Sequence, residues 1–542
     1  MQNHLYSVLI LVFKNRIMKK ILLSLLLIGS CVNFSCKKAL LEEPAYTLNE
    51  QTLFTDAASA QLALNACYGY LASQGVYGQA LIMVSEMGSG IGWMKKTGDE
   101  LSSLNIIASG GGGFVAMLWN GLYQTIGQCN IFIAAADKSS LSNKTNLIAQ
   151  AKFIRALCYY NLVFIYGGVP LKITPATPET TDVPRSTKQQ VIDQIVADLV
   201  AAGADLNSTE PDSSVPSKIA ANAMLAKVYF LLASSEGQGS SNWQLAKQYG
   251  TKVFTAWGGT VPLESSYAGL FDINNRTSKE SIFKLNYSAL GLNSAFNKGS
   301  WSFSPVNSTL KGINFDNKGS SRAFYSYFKK MHPGDPRLDA TFFHISYTNV
   351  LTGALLTVYP TVTTYVQNAY PFYKKYYDPN QTGQISNKTL YVYRYADFLL
   401  LMADVENELG NTATAVNYVN IVLTRARNSV TPAASQPANV AASIAQADLR
   451  QVIFDERLFE LSEEGHSFME ARRRGITWLK QITTRNNAQA DAIAGFSTAN
   501  NWTEYSLPVT DEGLTKAMLM PIPPAELNTN KAFHSTDQNP GY

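Results

Sequence analysis

Apolar residues recur at three- and four-residue intervals through both ends of this 542-residue chain, while a long central stretch lacks that period. In DAASAQLALNACYGYL, residues 56–71, Leu62, Ala66, Tyr70 and their neighbours mark one face of an amphipathic helix. The same spacing predicts helices over residues 118–136 and 147–166, the second stopped by Gly167-Gly168 and Pro170. STKQQVIDQIVADLVAAGADL opens with Ser186 or Thr187 as cap, and Val191, Ile195 and Leu199 line its apolar face.

A helix, a polar turn and a second helix follow in PSKIAANAMLAKVYFLLASSEG and SNWQLAKQYGTKVF, with Ala220, Ala223 and Ala226 small enough for close approach. A pair of about 34 residues with this alternation of small and large is similar to a tetratricopeptide unit. YRYADFLLLMADVENELGNTATAVNYVNIVLTRAR repeats the plan, with Tyr395, Phe398, Met402, Val405 and Leu409 three and four apart. Two such pairs favour a helical-repeat scaffold. Residues 257–390 differ: they are rich in Gly, Asn, Ser, Thr and Tyr, with short alternating runs such as SIFKLNY and TVYPTVTTYV. These read as short strands between long loops. The expected fold is therefore dominated by α-helix, a tetratricopeptide-like repeat scaffold carrying an irregular, loop-rich and partly β insertion. Regions 37–256 and 257–542 are expected to pack into one body without a free linker.

The start of the chain has another character. MKKILLSLLLIGSCVNFSC, residues 18–36, sets Lys19 and Lys20 before an apolar run from Ile21 to Ile28, then small residues and cysteines. That run is too short to span a bilayer and reads as a secretory signal, with Met18 the more natural start. Small residues before a cysteine are also the pattern of a bacterial lipoprotein signal. Gly29-Ser30-Cys31 fits its spacing best by local chemistry, and Ser35-Cys36 competes. An ordinary cleaved secretion signal is the plainer alternative.

The formal charge of +4 changes little, because Lys14, Arg16, Lys19 and Lys20 lie upstream of the cysteines with no acidic residue among them. Removing that segment leaves 40 basic against 40 acidic residues, and a neutral surface argues against nucleic acid as partner. Charged residues make up only 15% of the chain, below the usual quarter or so, while aromatics reach 11%. Uncharged polar groups beside aromatic rings suit neutral, hydroxyl-rich ligands, and also serve ordinary cores. Beyond the signal only Cys67, Cys129 and Cys158 remain, which gives neither a disulfide framework nor a zinc motif.

Catalytic chemistry finds little support. Asp455, Glu456, Glu460, Glu463 and Glu464 cluster, but a glycosidase needs two carboxyls facing each other across a cleft. On one helix these acids share or neighbour a face, and Arg457, Arg472, Arg473 and Arg474 are expected to pair with them. His466 reads as a helix-end hydrogen-bonding residue. The five histidines are scattered, so no metal site is expected. SGGGG at 109–113 lacks the Gly-Lys-Ser/Thr of a phosphate loop, and no GxSxG accompanies a plausible triad.

Several stretches together resemble the SusD/RagB family of outer-membrane nutrient-binding lipoproteins. They are SCKKALLEEP, FIRALCYYNLVFIYGGVPL, VPRSTKQQVIDQIVADL, DPRLD from Asp335, KKYYDP from Lys374, YRYADFLLLMADVENELG, DERLFELSEEGHSFMEARRRG from Asp455 to Gly475, LMPIPPAELNTN, and the terminal NPGY. Each is weak alone; their order and number make the match specific over nearly the whole mature chain. The resemblance implies tetratricopeptide-like helices in a lipoprotein that lies over a TonB-dependent, SusC-like transporter of the outer membrane. Such proteins face the extracellular side, capture oligosaccharides (in some members peptides) and deliver them to the barrel, without catalysis or cofactor. It also moves the lipidation expectation to Cys36, just before Lys37–Pro44, although Lys37 and Lys38 stand where acidic residues often follow the cysteine.

The family offers no invariant ligand motif, so the contact residues come from composition and position. Trp93, in MGSGIGWMKKTGDE, is the favoured stacking residue, with Lys95 and Asp99 beside it for the hydroxyl edges. Tyr287 in KLNYSALG and Trp301 in NKGSWSFSP lie in the central region, where family members commonly supply further stacking. An aromatic that merely anchors its loop would look the same. A peptide ligand, or a repeat scaffold that binds only proteins, is the remaining alternative.

Overall fold

Thr187, not Ser186, opens its helix: its hydroxyl accepts the N–H of Gln190, and the Gln190 side chain accepts the N–H of Thr187 in return. Such local signals set the helical elements of this computed structural model. It describes residues 54, 56–94, 99–107, 113–237, 239–258, 262–287, 318–343, 347–348, 355–356, 371–378, 387–490 and 506–542. The N-terminal helices are α1 (Ala57–Leu71), α2 (Ala80–Met87), α3 (Gly113–Lys138), α4 (Lys144–Tyr166), α5 (Lys188–Asp205), α6 (Lys218–Glu236) and α7 (Asn242–Ala256). After the single turn α8 (Tyr267–Leu270) come α9 (Arg322–Met331) and α10 (Pro336–Thr341). The C-terminal set is α11 (Tyr395–Glu408), α12 (Thr412–Arg427), α13 (Gln446–Leu461), α14 (Ser467–Arg472), α15 (Ile476–Ala490), α16 (Asp511–Ala517) and α17 (Pro524–Thr529).

Consecutive helices pack on one another, α3 on α4, α4 on α5, α5 on α6 and α6 on α7, and later α11 on α12. This neighbour-to-neighbour plan is that of a tetratricopeptide-like stack. The two helical pairs foreseen from sequence meet where Gly250 of α7 lies against Met402 of α11, and any Cβ at 250 would collide with that methionine. The helix α1 forms as its period requires, but its buried face is Ala60, Leu64, Cys67 and Leu71, while Leu62 is 69% exposed. Cys67, Cys129 and Cys158 are buried free thiols. Among the described residues no helix is long and apolar enough to cross a membrane.

Strand is sparse. SIFKLN forms β2 (Ser281–Asn286), which pairs antiparallel with β6 (Thr389–Arg394) and sets Phe283 opposite Tyr393. The ribbon is buried nearly throughout, so it joins the helical core instead of standing apart. The remaining strands are β1 (Gly92–Met94), β3 (Lys318–Ser320), β4 (Tyr347–Thr348) and β5 (Leu355–Leu356). TVYPTVTTYV lies outside the described residues.

Ion pairs hold these parts together. At the C-terminal end of α13, Glu460 receives Arg394 at 2.7 Å, Arg337 at 2.8 Å, and Arg425. Glu456 pairs with Arg337 as well, and Glu464 takes Arg394 at 2.5 Å and Lys375 at 2.8 Å. Glu280 closes the group on Arg394 and Arg425 at 2.8 and 2.9 Å. A second group runs between α11, α13 and α14. In it Asp397 meets Lys227 and Arg457, Glu470 meets Arg457 and Arg473, and Asp404 meets Arg473 and Arg474. The pairing thus differs from the expectation. Arg457, Arg473 and Arg474 take acids of α11 and α14, while Glu456, Glu460 and Glu464 take cations from far along the chain. Arg472 instead donates to the carbonyls of Ala517, Phe468 and Gly88 and lies over the Phe468 ring.

The tail is fastened separately. Asn539 of NPGY donates to the carbonyls of Tyr166 and Met520 at 2.8 and 2.6 Å, and accepts from Arg185 at 2.5 Å. Residues from Phe54 to Tyr542 accordingly form one compact unit.

Removing one member of a buried pair leaves its partners' charges uncompensated in a low dielectric. Glu460→Ala is expected to lower the unfolding free energy by about 3 to 5 kcal/mol, measured by denaturant titration. A loss below about 1 kcal/mol, the level of an exposed pair, would contradict this network.

Candidate functional site

The segment that carries Trp93 is fixed by glycines on both strands of a short ladder. β1 and β3 run antiparallel, with Gly92 opposite Ser320, Trp93 opposite Gly319 and Met94 opposite Lys318. Gly319 also bridges to Phe372, and Ser320 and Ser321 donate backbone N–H groups to Pro371 O at 2.9 Å and Ile91 O at 2.7 Å. A Cβ on Gly319 would fall inside the Pro371 carbonyl, and one on Gly92 inside that of Glu86. Only glycine permits this approach. The ladder therefore brings together β1, β3 and Pro371, three points far apart along the chain.

The candidate residues are distributed as follows. Trp93 is buried, 6% exposed, at the centre of the ladder. Asp99 is equally buried, and its Oδ2 accepts the N–H of Ser102 at 2.7 Å to start the turn that follows. Tyr287 is 1% exposed, and its hydroxyl donates to the carbonyl of Ala72 at 3.0 Å. Lys95, Trp301 and the lipidation candidate Cys36 lie outside the described residues. Tyr287 belongs to a different place, at the end of β2. Sequence reasoning missed Gly319, Pro371 and Phe372, for which a lone KGS in a Gly-rich region gave little signal.

Beneath the ladder lie buried carboxyls with opposed environments. Glu86 of α2 accepts from the N–H groups of Glu463 and Gly465 at 3.0 and 2.9 Å and from the Ser467 hydroxyl at 2.7 Å. Burial nevertheless raises its pKa and raises that of Glu463 well above the ordinary range. Burial would also raise Glu470, but Arg457 and Arg473 outweigh it and hold that carboxyl at about 2. For Glu460 likewise, Arg425, Arg394 and Arg337 outweigh burial and push the carboxyl far below its usual value. The carboxyls of Glu456, Glu460 and Glu464 are thus engaged in ion pairs within the core. Among the described residues no group of three or more His, Cys, Asp and Glu could hold a metal ion. His466 stands at the N-terminal end of α14 without a side-chain capping bond, its Nδ1 3.3 Å from Lys227 Nζ and its Nε2 3.8 Å from Asp397. Burial, reinforced by Lys227 and opposed by Asp397, lowers its pKa to about 4, which leaves it neutral at neutral pH.

A stack of paired helices carrying one small ladder between distant segments defines a helical-repeat scaffold. Its family follows from the comparisons: the SusD family model matches residues 234–542, more than half the chain, and the protein belongs to that family. A second model, described as starch-binding and associating with the outer membrane, matches residues 89–230. The chain is 27% identical over 463 residues to SusD-like protein P2 of Formosa agariphila, covering 80% of this chain and 86% of that one. Among solved structures, a SusD homolog from Bacteroides thetaiotaomicron superposes with a TM-score of 0.75 at 22% identity, covering 91% of this chain and 98% of the other. A laminarin-binding SusD-like protein superposes with a TM-score of 0.60 at 20% identity, covering 90% and 100%.

His466 gives stability a definite dependence on pH. An unfolded histidine titrates near about 6.5, so below that pH the unfolded chain takes up a proton that the folded chain refuses until about 4. Its contribution is complete above pH 6.5 and is lost as the pH falls toward 4. Denaturant unfolding at pH 7.5 and 4.5 should show a loss on the order of 3 kcal/mol from this group, and His466→Gln should remove that part of the slope. An unchanged slope in the variant would show that other groups carry it.

Proposed function

We propose that the protein captures oligosaccharides at the outer membrane and passes them to a TonB-dependent, SusC-like transporter, with Cys36 as its lipid anchor. The observation that carries this reading is the pair of family models, which together take in most of residues 89–542. The laminarin binding named for one structural relative supports a neutral glycan as ligand, and so does this chain's low charge and high aromatic content. The β1–β3 ladder supplies the physical means: a base held by glycine contacts and ion-paired helices leaves little ordering entropy to lose when ligand arrives. In this reading Trp93 roots the ligand-contacting edge. Lys95, Asp99 and Trp301 remain the side chains nominated for contact, and Tyr287 backs the end of β2.

Two measurements test the proposal. Trp93→Ala and Trp301→Ala should each weaken binding of a verified oligosaccharide by about 1 kcal/mol or more, read by calorimetry. Unchanged affinity in both would refute this placement. Gentle detergent extraction and affinity purification of the native protein should recover a stoichiometric partner of transporter-barrel size. Recovery of the protein alone would contradict the delivery role.

A further inference from the structure

Along the β2–β6 ribbon, the polar segment between α5 and α6 lies across β2 as a strap. Ser213 accepts the N–H of Lys284 at 3.1 Å on its carbonyl and donates its hydroxyl to Ser281 at 2.7 Å. Asp212 receives Lys284 at 2.9 Å and Asn286 at 3.1 Å. Two adjoining clefts border this strap and share Val215, one of about 220 Å³ and one of about 280 Å³.

The smaller cleft has an aromatic wall and a hydroxyl rim. Trp257, at the end of α7, is partly exposed there, with its ring locked edge-on against Tyr395 at 4.3 Å and close to Phe398. Thr209, Glu210, Thr277 and Lys279 line the same space. Among the described residues the hydroxyls of Thr209 and Thr277, the ammonium of Lys279 and the indole N–H of Trp257 make no hydrogen bond within the chain. Lys284 is neutralised by Asp212, and Glu210 offsets Lys279, so the cleft carries little net charge. That chemistry disfavours a phosphate, because the Lys279 ammonium shares the lining with the Glu210 carboxylate. It equally disfavours an apolar peptide side chain, which would strand the hydroxyls. A pyranose satisfies both halves, with a C–H face against the indole and hydroxyls toward the rim. The second cleft, lined by Gln61, Asn65 and Tyr68 of α1 and by Asn286, continues the same polar and aromatic character.

We propose that the Trp257 cleft is a second saccharide site, separate from the β1–β3 edge, which seats one ring of a neutral oligosaccharide whose chain runs on toward Asn65 and Tyr68. This rests on the reading that the protein binds glycans. The test is calorimetry and thermal unfolding of the full mature chain with a panel of neutral oligosaccharides from starch, laminarin, xyloglucan and mannan. The variants are Trp257→Ala, the near-isosteric Thr277→Val, and Trp93→Ala for comparison. The expected result is that Trp257→Ala weakens binding of at least one panel member about tenfold and Thr277→Val weakens it severalfold, with unfolding of the Thr277→Val chain unchanged. Wild-type affinity in both variants toward every sugar that binds overturns the second site and leaves the function proposal standing. Failure of the unsubstituted chain to bind any panel member overturns both.

Discussion

Carboxylates that follow one another along α13 and just beyond it are buried where water cannot solvate them, and each that stays ionised must be met by a cation. Glu456, Glu460 and Glu464 meet this need with Arg337, Lys375, Arg394 and Arg425, none of which belongs to their own segment. The constraint is severe because the attraction between buried charges only offsets the desolvation cost when geometry is good. Here it is good: Arg394 alone engages Glu280, Glu460 and Glu464 at 2.8, 2.7 and 2.5 Å.

The consequence is organisational. Positions 280, 337, 375 and 394 fall within or beside the loop-rich central region, and all of them are drawn to the end of one helix. A region of the chain with little periodic structure thereby acquires fixed points. Glu86 ties α2 to the same place through Glu463, Gly465 and Ser467, a few residues before β1 begins. The ladder of Trp93 and Gly319 thus grows from segments whose roots are already immobilised. Loops can then vary in sequence while the scaffold beneath them stays put, which is the usual division of labour between core and binding surface.

The helical frame was legible in the sequence because periodicity and caps are local. The Gly167 stop, the strand in SIFKLNY and the two helical pairs could all be read residue by residue. The face of α1 could not, since Leu62 and Leu64 sit on nearly opposed sides and only packing decides between them. The ion pairs were half legible: the density of charge in DERLFELSEEGHSFMEARRRG signalled a network, and local spacing suggested that its arginines would serve its own acids. Tertiary contact reassigned them, because a helix terminus buried against distant segments takes whichever cations those segments bring. Binding residues were the least legible. Trp93 was nominated for its Gly-rich setting, whereas the cleft at Trp257 exists only once the segment between α5 and α6 is laid across β2.

The proposed function puts ligand capture on an edge held from below. Amide hydrogen exchange with and without a bound neutral oligosaccharide addresses that idea directly. Added protection should concentrate in residues 92–107 and 318–321, with the helices α4 to α6 unchanged. Saturating ligand that leaves both segments exchanging at their free rates would contradict it.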